Sequence, residues 1–169
     1  MAAPGDDTFD DLLEANRAYA ERQDRTPLEG VARAGVAVVT CMDSRIDPLP
    51  MLGLERGDAK VIRTPGGRLT PDALVGCVLG VHLLGVTRIL VVPHTRCAMA
   101  SGTDDDLRAR ITERSGLDAS DLAIGADPDQ DARLADDLAT LREHPLVAGR
   151  ASVGGFLLDV DSGLLTRVA

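Results

Sequence analysis

Residues 35–45, GVAVVTCMDSR, join a nearly unbroken apolar run to a group of polar side chains. Such a run is typical of a central strand that is buried on both of its faces in a parallel sheet. We therefore predict a strand over residues 35–40, with Cys41 just past its end. Asp43 and Arg45 follow closely and are expected at the same edge of the sheet.

Two more predicted strands lead into loops with the same character. Residues 59–63, AKVIR, precede the loop of residues 64–67, TPGG, in which the glycines permit a positive φ. Residues 88–92, RILVV, end just before His94 and Cys97. In α/β folds, ligands gather at the carboxyl ends of the strands, so these loop residues are expected to meet the Cys41 segment there.

The remaining segments predict helices that alternate with strands, which is the pattern of an α/β fold. An amphipathic helix is predicted over residues 8–22 with Thr8 as its cap, and Thr70 is expected to cap a helix that extends to about Leu84. The other predicted elements are helices near residues 105–114 and 130–143 and a hairpin of residues 156–160 and 164–168.

The composition excludes several classes of protein. A chain of 169 residues with 44% apolar content suits one domain, and we assign residues 1–169 to a single domain. The net charge of −9 disfavours nucleic-acid binding, which needs a basic surface. The sequence predicts neither a membrane span nor a secretory signal. We therefore expect a cytoplasmic protein whose three cysteines are reduced and free to bind metal.

Three motifs in this sequence resemble those of the β-class carbonic anhydrases. Residues 41–45 read Cys-x-Asp-Ser-Arg, residues 94–97 read His-x-x-Cys, and an Arg-x-x-Gly loop lies between them at residues 63–66. The resemblance extends from the first predicted helix through the last strand. It implies a mostly parallel sheet of about four strands plus an edge strand, flanked by helices. It also implies a homodimer or a dimer of dimers, with the N-terminal helix packed on the partner subunit.

The resemblance also assigns roles to individual side chains. It makes Cys41, His94 and Cys97 the ligands of a Zn²⁺ ion, and it makes Asp43 and Arg45 a catalytic pair beside the metal. Three protein ligands leave a fourth position open, as in catalytic zinc sites. Arg45 can hold the Asp43 carboxylate in a two-point fork, so that this carboxylate orients a zinc-bound hydroxide.

The expected reaction is the reversible hydration of carbon dioxide to bicarbonate and a proton by that hydroxide. Backbone N–H groups around Gly66 and Gly67 are expected to help bind the substrate. Two alternatives stay open at this point. The same zinc site could hydrolyse carbonyl sulfide, as relatives of the family do. Zinc could instead stabilise an inactive dimeric interaction module, with Asp43 as the fourth ligand.

The chain departs from the family's usual pattern at the His-x-x-Cys motif. Family members usually carry a small or acidic residue and a glycine where this chain has Arg96 and Ala98. We expect Arg96 either to favour hydroxide and attract bicarbonate or to pair with Asp43. Ala98 is expected to strain the backbone mildly if its φ is negative and more strongly if its φ is positive. The third cysteine, Cys77, is expected to be a small buried hydrophobe.

Overall fold

Strands and helices alternate along the protein in a computed structural model that describes residues 9–23 and 26–169. The strands are β1 (Val36–Cys41), β2 (Ala59–Thr64), β3 (Arg88–Val92), β4 (Ser152–Leu158) and β5 (Leu165–Arg167). The α-helices are α1 (Asp10–Arg22), α2 (Pro71–Leu83), α3 (Asp104–Ser115) and α4 (Gln130–Glu143). Short 3₁₀ turns lie at Pro50–Leu52, Pro65–Gly67 and Ala98–Ala100.

The five strands form one sheet in the order β2-β1-β3-β4-β5. Strands β1 to β4 are parallel to one another, and β5 pairs antiparallel with β4 at the edge. This arrangement confirms the predicted α/β fold with four parallel strands and one added edge strand. Helices α2 and α4 pack on one face of the sheet, where Val39, Ile89 and Leu138 belong to the same buried cluster.

Strand β1 is central because it is apolar on both faces and pairs with β2 on one side and β3 on the other. All six of its residues are buried. Cys41 is the last residue of the strand, one position later than predicted, because it pairs with Thr64 of β2. The Met42 N–H then donates to the Thr64 carbonyl at 3.1 Å, so the pairing of the two strands continues up to the Cys-x-Asp-Ser-Arg motif.

Helix α2 begins as the sequence predicts. The Thr70 hydroxyl accepts a hydrogen bond from the Ala73 N–H at 3.2 Å, and Pro71 occupies the first helical position, where its missing N–H is not needed. Cys77 on this helix is fully buried among apolar side chains, which confirms its assignment as a hydrophobe. Burial raises the pKa of the Cys77 thiol to about 11, so this cysteine stays protonated.

Strand β4 begins at Ser152, four residues before the predicted start at residue 156. Gly154 and Gly155 conceal the strand in the sequence because glycine has a low strand propensity. A Cβ atom at Gly155 would lie 2.6 Å from Leu138 Cδ1, so glycine allows α4 to approach the sheet closely. The hairpin of β4 and β5 was predicted correctly, although β5 is shorter than residues 164–168.

The acidic run that begins α3 serves to cap this helix. Thr103 and Asp106 form a capping box, in which the Asp106 carboxylate accepts from the Thr103 N–H at 2.8 Å. The Asp104 carboxylate accepts hydrogen bonds from the Ile124 and Ala126 N–H groups of the following loop. These contacts agree with the capping role expected of acidic residues at a helix start.

Helix α1 lies apart from the core. It begins at Asp10, and the predicted cap Thr8 lies outside the described residues. None of its described residues is buried. The described part of the chain has no helix that is long and apolar enough to cross a membrane.

One ion pair ties the loop after β2 to helix α4. The Arg68 guanidinium donates to both carboxylate oxygens of Asp137, at 2.7 and 3.0 Å. The Leu69 N–H donates to the same carboxylate at 3.0 Å. The Asp137 side chain is 7% exposed, so these three donors replace most of the water that it loses on folding. The pair therefore anchors the glycine loop that precedes α2.

Replacing Asp137 with alanine is expected to lower the free energy of unfolding by about 3 kcal/mol, because Arg68 and the Leu69 N–H lose their acceptor. Chemical denaturation followed by circular dichroism measures this change. Asp136→Ala, an exposed neighbour on the same helix, is the matched control and should change stability by less than about 0.5 kcal/mol. Equal losses in the two variants would show that the Arg68 pair has no special weight.

Candidate metal centre

The register of the three central strands brings their loops together. Cys41 lies opposite Thr64 of β2, and Thr40 lies opposite Val92 of β3. The buried Thr40 hydroxyl donates to the Val92 carbonyl at 2.8 Å, which holds β1 and β3 together at this level. The segments that follow β1, β2 and β3 therefore leave the sheet at one edge, as the sequence predicts.

Three predicted metal ligands meet at this edge. The ligand atoms of Cys41, His94 and Cys97 all lie within 4.8 Å of one another, and all three residues are buried. The two sulfur atoms are 4.0 Å apart. Two thiolates bound to one tetrahedral zinc ion at about 2.3 Å would be separated by about 3.8 Å, so the observed spacing suits zinc.

The imidazole of His94 is oriented for metal binding. Its Nδ1 lies 2.8 Å from the Thr95 carbonyl oxygen, to which it can donate its proton. Its Nε2 is buried and has no hydrogen-bond partner among the described residues. A buried nitrogen without a partner is costly unless a further group binds it. The carbonyl contact on one ring nitrogen and the free lone pair on the other are what a zinc-binding histidine requires.

The two cysteine side chains at the site are in contact with each other. The contact with the Cys97 sulfur, together with the His94 ring, lowers the pKa of the Cys41 thiol far below its usual value. The same contact with Cys41 and the burial of the group raise the pKa of Cys97. Both sulfur atoms bind a metal as thiolates, so metal binding at this site is coupled to proton release.

Asp43 and Arg45 form the predicted pair beside these ligands. Arg45 donates from Nε to Asp43 Oδ1 at 2.9 Å and from Nη2 to Asp43 Oδ2 at 2.7 Å. The Arg45 backbone N–H also donates to Oδ1 at 2.9 Å. These hydrogen bonds hold the pKa of Asp43 well below its usual range. Asp43 Oδ2 lies 3.8 Å from His94 Nε2, so the ionised carboxylate borders the ligand cluster.

The glycine loop touches the cluster through its backbone. Gly66 and Gly67 are both buried, with φ angles of 74° and 69°. The Gly66 N–H forms a hydrogen bond with the Cys41 sulfur that helps to lower the Cys41 pKa. A Cβ atom at Gly67 would lie 3.0 Å from the Val92 carbonyl oxygen and 3.1 Å from the Cys41 nitrogen. Glycine is therefore required at this position by both its backbone angle and the close packing.

An open cleft of about 630 Å³ lies over the candidate ligands. Both sulfur-bearing ligands and the Asp43–Arg45 pair contribute to its walls. Its other walls are mostly apolar and come from Met42, Pro65, Ala98 and Met99. A small uncharged molecule can therefore approach the metal ligands along an apolar surface.

Arg63 contributes to the site, although the sequence motif did not reveal how. Its Nε donates to the Cys41 carbonyl at 3.0 Å, and its Nη2 donates to the carbonyls of Asp43 and Ile46 at 2.6 and 3.2 Å. One guanidinium thus holds three carbonyls of the segment that carries the first candidate ligand and the Asp43–Arg45 pair. The Arg-x-x-Gly motif marked this arginine in the sequence, but the carbonyls that it binds lie far from it along the chain.

Arg96 does not pair with Asp43, which is a correction to one of the two expected outcomes. Its guanidinium donates instead to Asp161 in the turn between β4 and β5. The stronger backbone strain expected at Ala98 for a positive φ is also absent, because Arg96 is the only non-glycine residue with a positive φ in the described part of the chain. Its φ is 55°, and its carbonyl accepts a hydrogen bond from Arg45 Nη2 at 3.3 Å.

The sheet and the Cys₂His cluster at its carboxyl edge define an α/β protein with a candidate metal centre. A family model described as carbonic anhydrase matches residues 36–165. The chain therefore belongs to the carbonic anhydrase family, in its β class, and is a lyase of that class.

Individual relatives agree with this assignment. Beta-carbonic anhydrase 1 of Mycobacterium tuberculosis is 33% identical over 159 residues, which cover 94% of this chain and 96% of the relative. A carbonic anhydrase structure from Streptococcus mutans is 32% identical, with a TM-score of 0.86 and complete coverage of both chains. A carbon disulfide hydrolase of Acidithiobacillus thiooxidans is 28% identical, and the match covers 76% of this chain and 74% of that protein.

Replacing Arg63 with methionine, which keeps the length of the side chain and removes its donors, is expected to weaken zinc binding about tenfold. The loop that carries Cys41 and Asp43 loses three hydrogen bonds in this variant. Competition with a chromophoric chelator measures the zinc affinity. Arg88→Met is the control. Arg88 lies at the start of β3, away from the candidate ligands, and donates to the Ala34 carbonyl. An unchanged affinity in Arg63→Met would refute the role given to Arg63.

Proposed function

We propose that this protein catalyses the reversible hydration of carbon dioxide to bicarbonate and a proton, with Zn²⁺ held by Cys41, His94 and Cys97. The observation that carries the proposal is the unpartnered, buried Nε2 of His94 beside two cysteine sulfurs, bordered by an ionised carboxylate. A zinc ion bound there would supply acidity, since water on zinc with three protein ligands ionises at a pH near 7.

The proposed role of Asp43 is to orient the nucleophile. Its Oδ2 is the carboxylate oxygen beside His94 Nε2, and it can accept a hydrogen bond from an oxygen nucleophile between them. Arg45 donates hydrogen bonds to both oxygens of this carboxylate, which limits its rotation. The hydrogen bond that Asp43 accepts from the nucleophile then fixes the direction of the nucleophile's lone pair toward the substrate. Because its pKa is held low, Asp43 stays an acceptor and does not retain the proton. The released proton therefore passes on to buffer.

The cleft supports a small and apolar substrate. We propose that carbon dioxide approaches along Met42, Pro65 and Met99 and that backbone groups at Gly66 help to position it. Apolar walls favour an uncharged substrate over bicarbonate, which assists the departure of the charged product. Gly67 supports the substrate position indirectly, through its close packing against the ends of β1 and β3.

Carbonyl sulfide is the second candidate substrate for the same site. The apolar cleft walls suit it as they suit carbon dioxide, because both molecules are small, linear and uncharged, and sulfur also packs well against methionine. Several proteins named carbon disulfide hydrolase are also similar in sequence to this chain. Measuring hydrogen sulfide release from carbonyl sulfide beside carbon dioxide hydration distinguishes the two reactions.

An inactive module in which zinc serves only to stabilise a dimer is the third reading. It requires Asp43 to turn to the metal as a fourth ligand. Both Asp43 oxygens instead accept hydrogen bonds from Arg45, and this arrangement favours an open fourth position. Breaking the fork would leave the Arg45 guanidinium without its carboxylate partner, which opposes closure.

Replacing Asp43 with alanine is expected to lower carbon dioxide hydration by at least about a hundredfold, because the nucleophile loses its acceptor, while zinc stays bound. Stopped-flow assays between pH 6.5 and 9 and elemental analysis give the two readouts. Asp47→Ala, an exposed neighbour in the same loop, is the control and should remain active. Loss of zinc from Asp43→Ala, with no hydration by the parent protein, would instead favour the inactive module.

We further propose that residues 1–169 act as a single domain in a cytoplasmic homodimer or dimer of dimers. The support is an uncovered apolar surface on two helices. On α1, Leu12 and Leu13 are 60% and 52% exposed, and on α2, Val75 and Leu83 are 57% and 68% exposed. A second copy of the chain can bury these side chains, and its α1 helix can cover the partner subunit.

Replacing Leu12 and Leu13 together with asparagine is expected to shift the protein toward monomers, because the apolar contact between copies is lost. Light scattering coupled to gel filtration measures the mass. The control replaces Glu14 and Glu21 with asparagine, since these residues lie on the opposite face of the same helix. A mass that does not change in the leucine variant would exclude α1 from the interface between subunits.

A further inference from the structure

Two ion pairs involve the neighbouring arginines Arg45 and Arg96. In one, Arg45 holds Asp43 beside the metal ligands, and in the other, Arg96 pairs with Asp161 from the β4–β5 turn. The pairs are linked through the backbone, because Arg45 Nη2 donates both to Asp43 Oδ2 at 2.7 Å and to the Arg96 carbonyl at 3.3 Å. The backbone of Arg96 thus lies close to the Asp43 carboxylate that Arg45 holds.

Arg96 is a competitor for that carboxylate. Because one Arg45 nitrogen contacts both groups, the Arg96 carbonyl lies no more than about 6 Å from Asp43 Oδ2. An extended arginine side chain covers a comparable distance, so Arg96 could reach Asp43 if it were free. Its guanidinium offers the same bidentate geometry as that of Arg45. Either arginine can therefore satisfy Asp43, but only Arg45 holds it in the orientation described above.

Asp161 is placed to prevent this exchange. The turn that carries it is fixed against the metal-binding loop, since the Thr95 N–H donates to the Leu158 carbonyl at 2.9 Å and the Val160 N–H donates to the Thr95 hydroxyl at 3.2 Å. The Asp161 N–H is held by Asp159 at 2.8 Å. Within the described residues, the Asp161 carboxylate accepts a side-chain hydrogen bond from Arg96 alone. Its charge also helps to raise the pKa of Arg45.

We propose that Asp161 is a positioning residue, which keeps the Arg96 guanidinium away from Asp43 and thereby preserves the Asp43–Arg45 fork. An exposed ion pair adds little to folding stability, and both side chains of this pair are more than half exposed. The Arg96–Asp161 pair thus acts by determining which arginine binds the Asp43 carboxylate. The inference rests on the proposed hydration reaction only for its kinetic consequence, because the pairing itself can be observed without turnover.

The test compares Asp161→Asn in two backgrounds, the zinc-loaded parent and zinc-loaded Arg96→Gln. In the parent, the substitution releases Arg96 and is expected to lower kcat for carbon dioxide hydration about fivefold, the scale of one exposed ion pair. In the Arg96→Gln background, no competing cation remains, and Asp161→Asn should change kcat by less than about twofold relative to that background. Asp121→Asn, on the α3–α4 loop outside the cleft, controls for the loss of one negative charge.

The Arg45 Nε–H signal in ¹H–¹⁵N spectra gives a readout that does not depend on activity. Its assignment comes from its loss in an Arg45→Lys variant. In the Asp161→Asn variant, this signal should move toward the position of an unpaired arginine. In the double variant Asp161→Asn with Arg96→Gln, it should have the same position as in Arg96→Gln. A signal that does not move, or equal changes in the two backgrounds, would overturn the proposal. If the parent protein has no hydration activity, the proposed function fails, and the spectra still decide the role of Asp161.

Discussion

The candidate site depends on the parallel pairing of β1 with both β2 and β3. That register sets Cys41 opposite Thr64 and Thr40 opposite Val92, so three loops start at the same level of the sheet. A shift of one residue in either pairing would turn the ligand side chains to the other face of the sheet. Apolar side chains bury both faces of β1, and this burial fixes the register strongly. The hydrophobic pattern of one strand thus determines where the metal ligands meet.

The chemistry of the site requires negative groups close together in an already acidic protein. Two cysteines and Asp43 surround the proposed metal position. The arginines nearby have different hydrogen-bond partners and therefore different roles. Arg45 holds the Asp43 carboxylate, and Arg63 holds backbone carbonyls of the same loop. This division of roles explains why a cation near the ligands does not simply neutralise the carboxylate. Each guanidinium is held by acceptors that the fold places beside it.

The sequence predicted the parts of the fold that follow from local patterns. The apolar runs of β1 and β3 and the Thr70-Pro71 cap of α2 gave these elements within one residue at most boundaries. Strand β4 was predicted too short because its glycines serve a tertiary contact with α4, which no local pattern reveals. The ligand cluster was recognisable from motif spacing. Partners such as Asp137 for Arg68 lie far apart in the sequence, so only the fold identifies them.

Arg96 illustrates why residue type alone did not define the site. The sequence drew attention to its charge, but its backbone also has a specific role, because its positive φ turns the carbonyl toward Arg45. A left-handed conformation costs a residue with a side chain about 1 kcal/mol, and such strain persists only where surrounding contacts hold it. The contacts of Thr95 with the β4–β5 hairpin supply that restraint. The hairpin at the edge of the sheet is therefore part of what aligns the Asp43–Arg45 pair, although it contributes no candidate ligand.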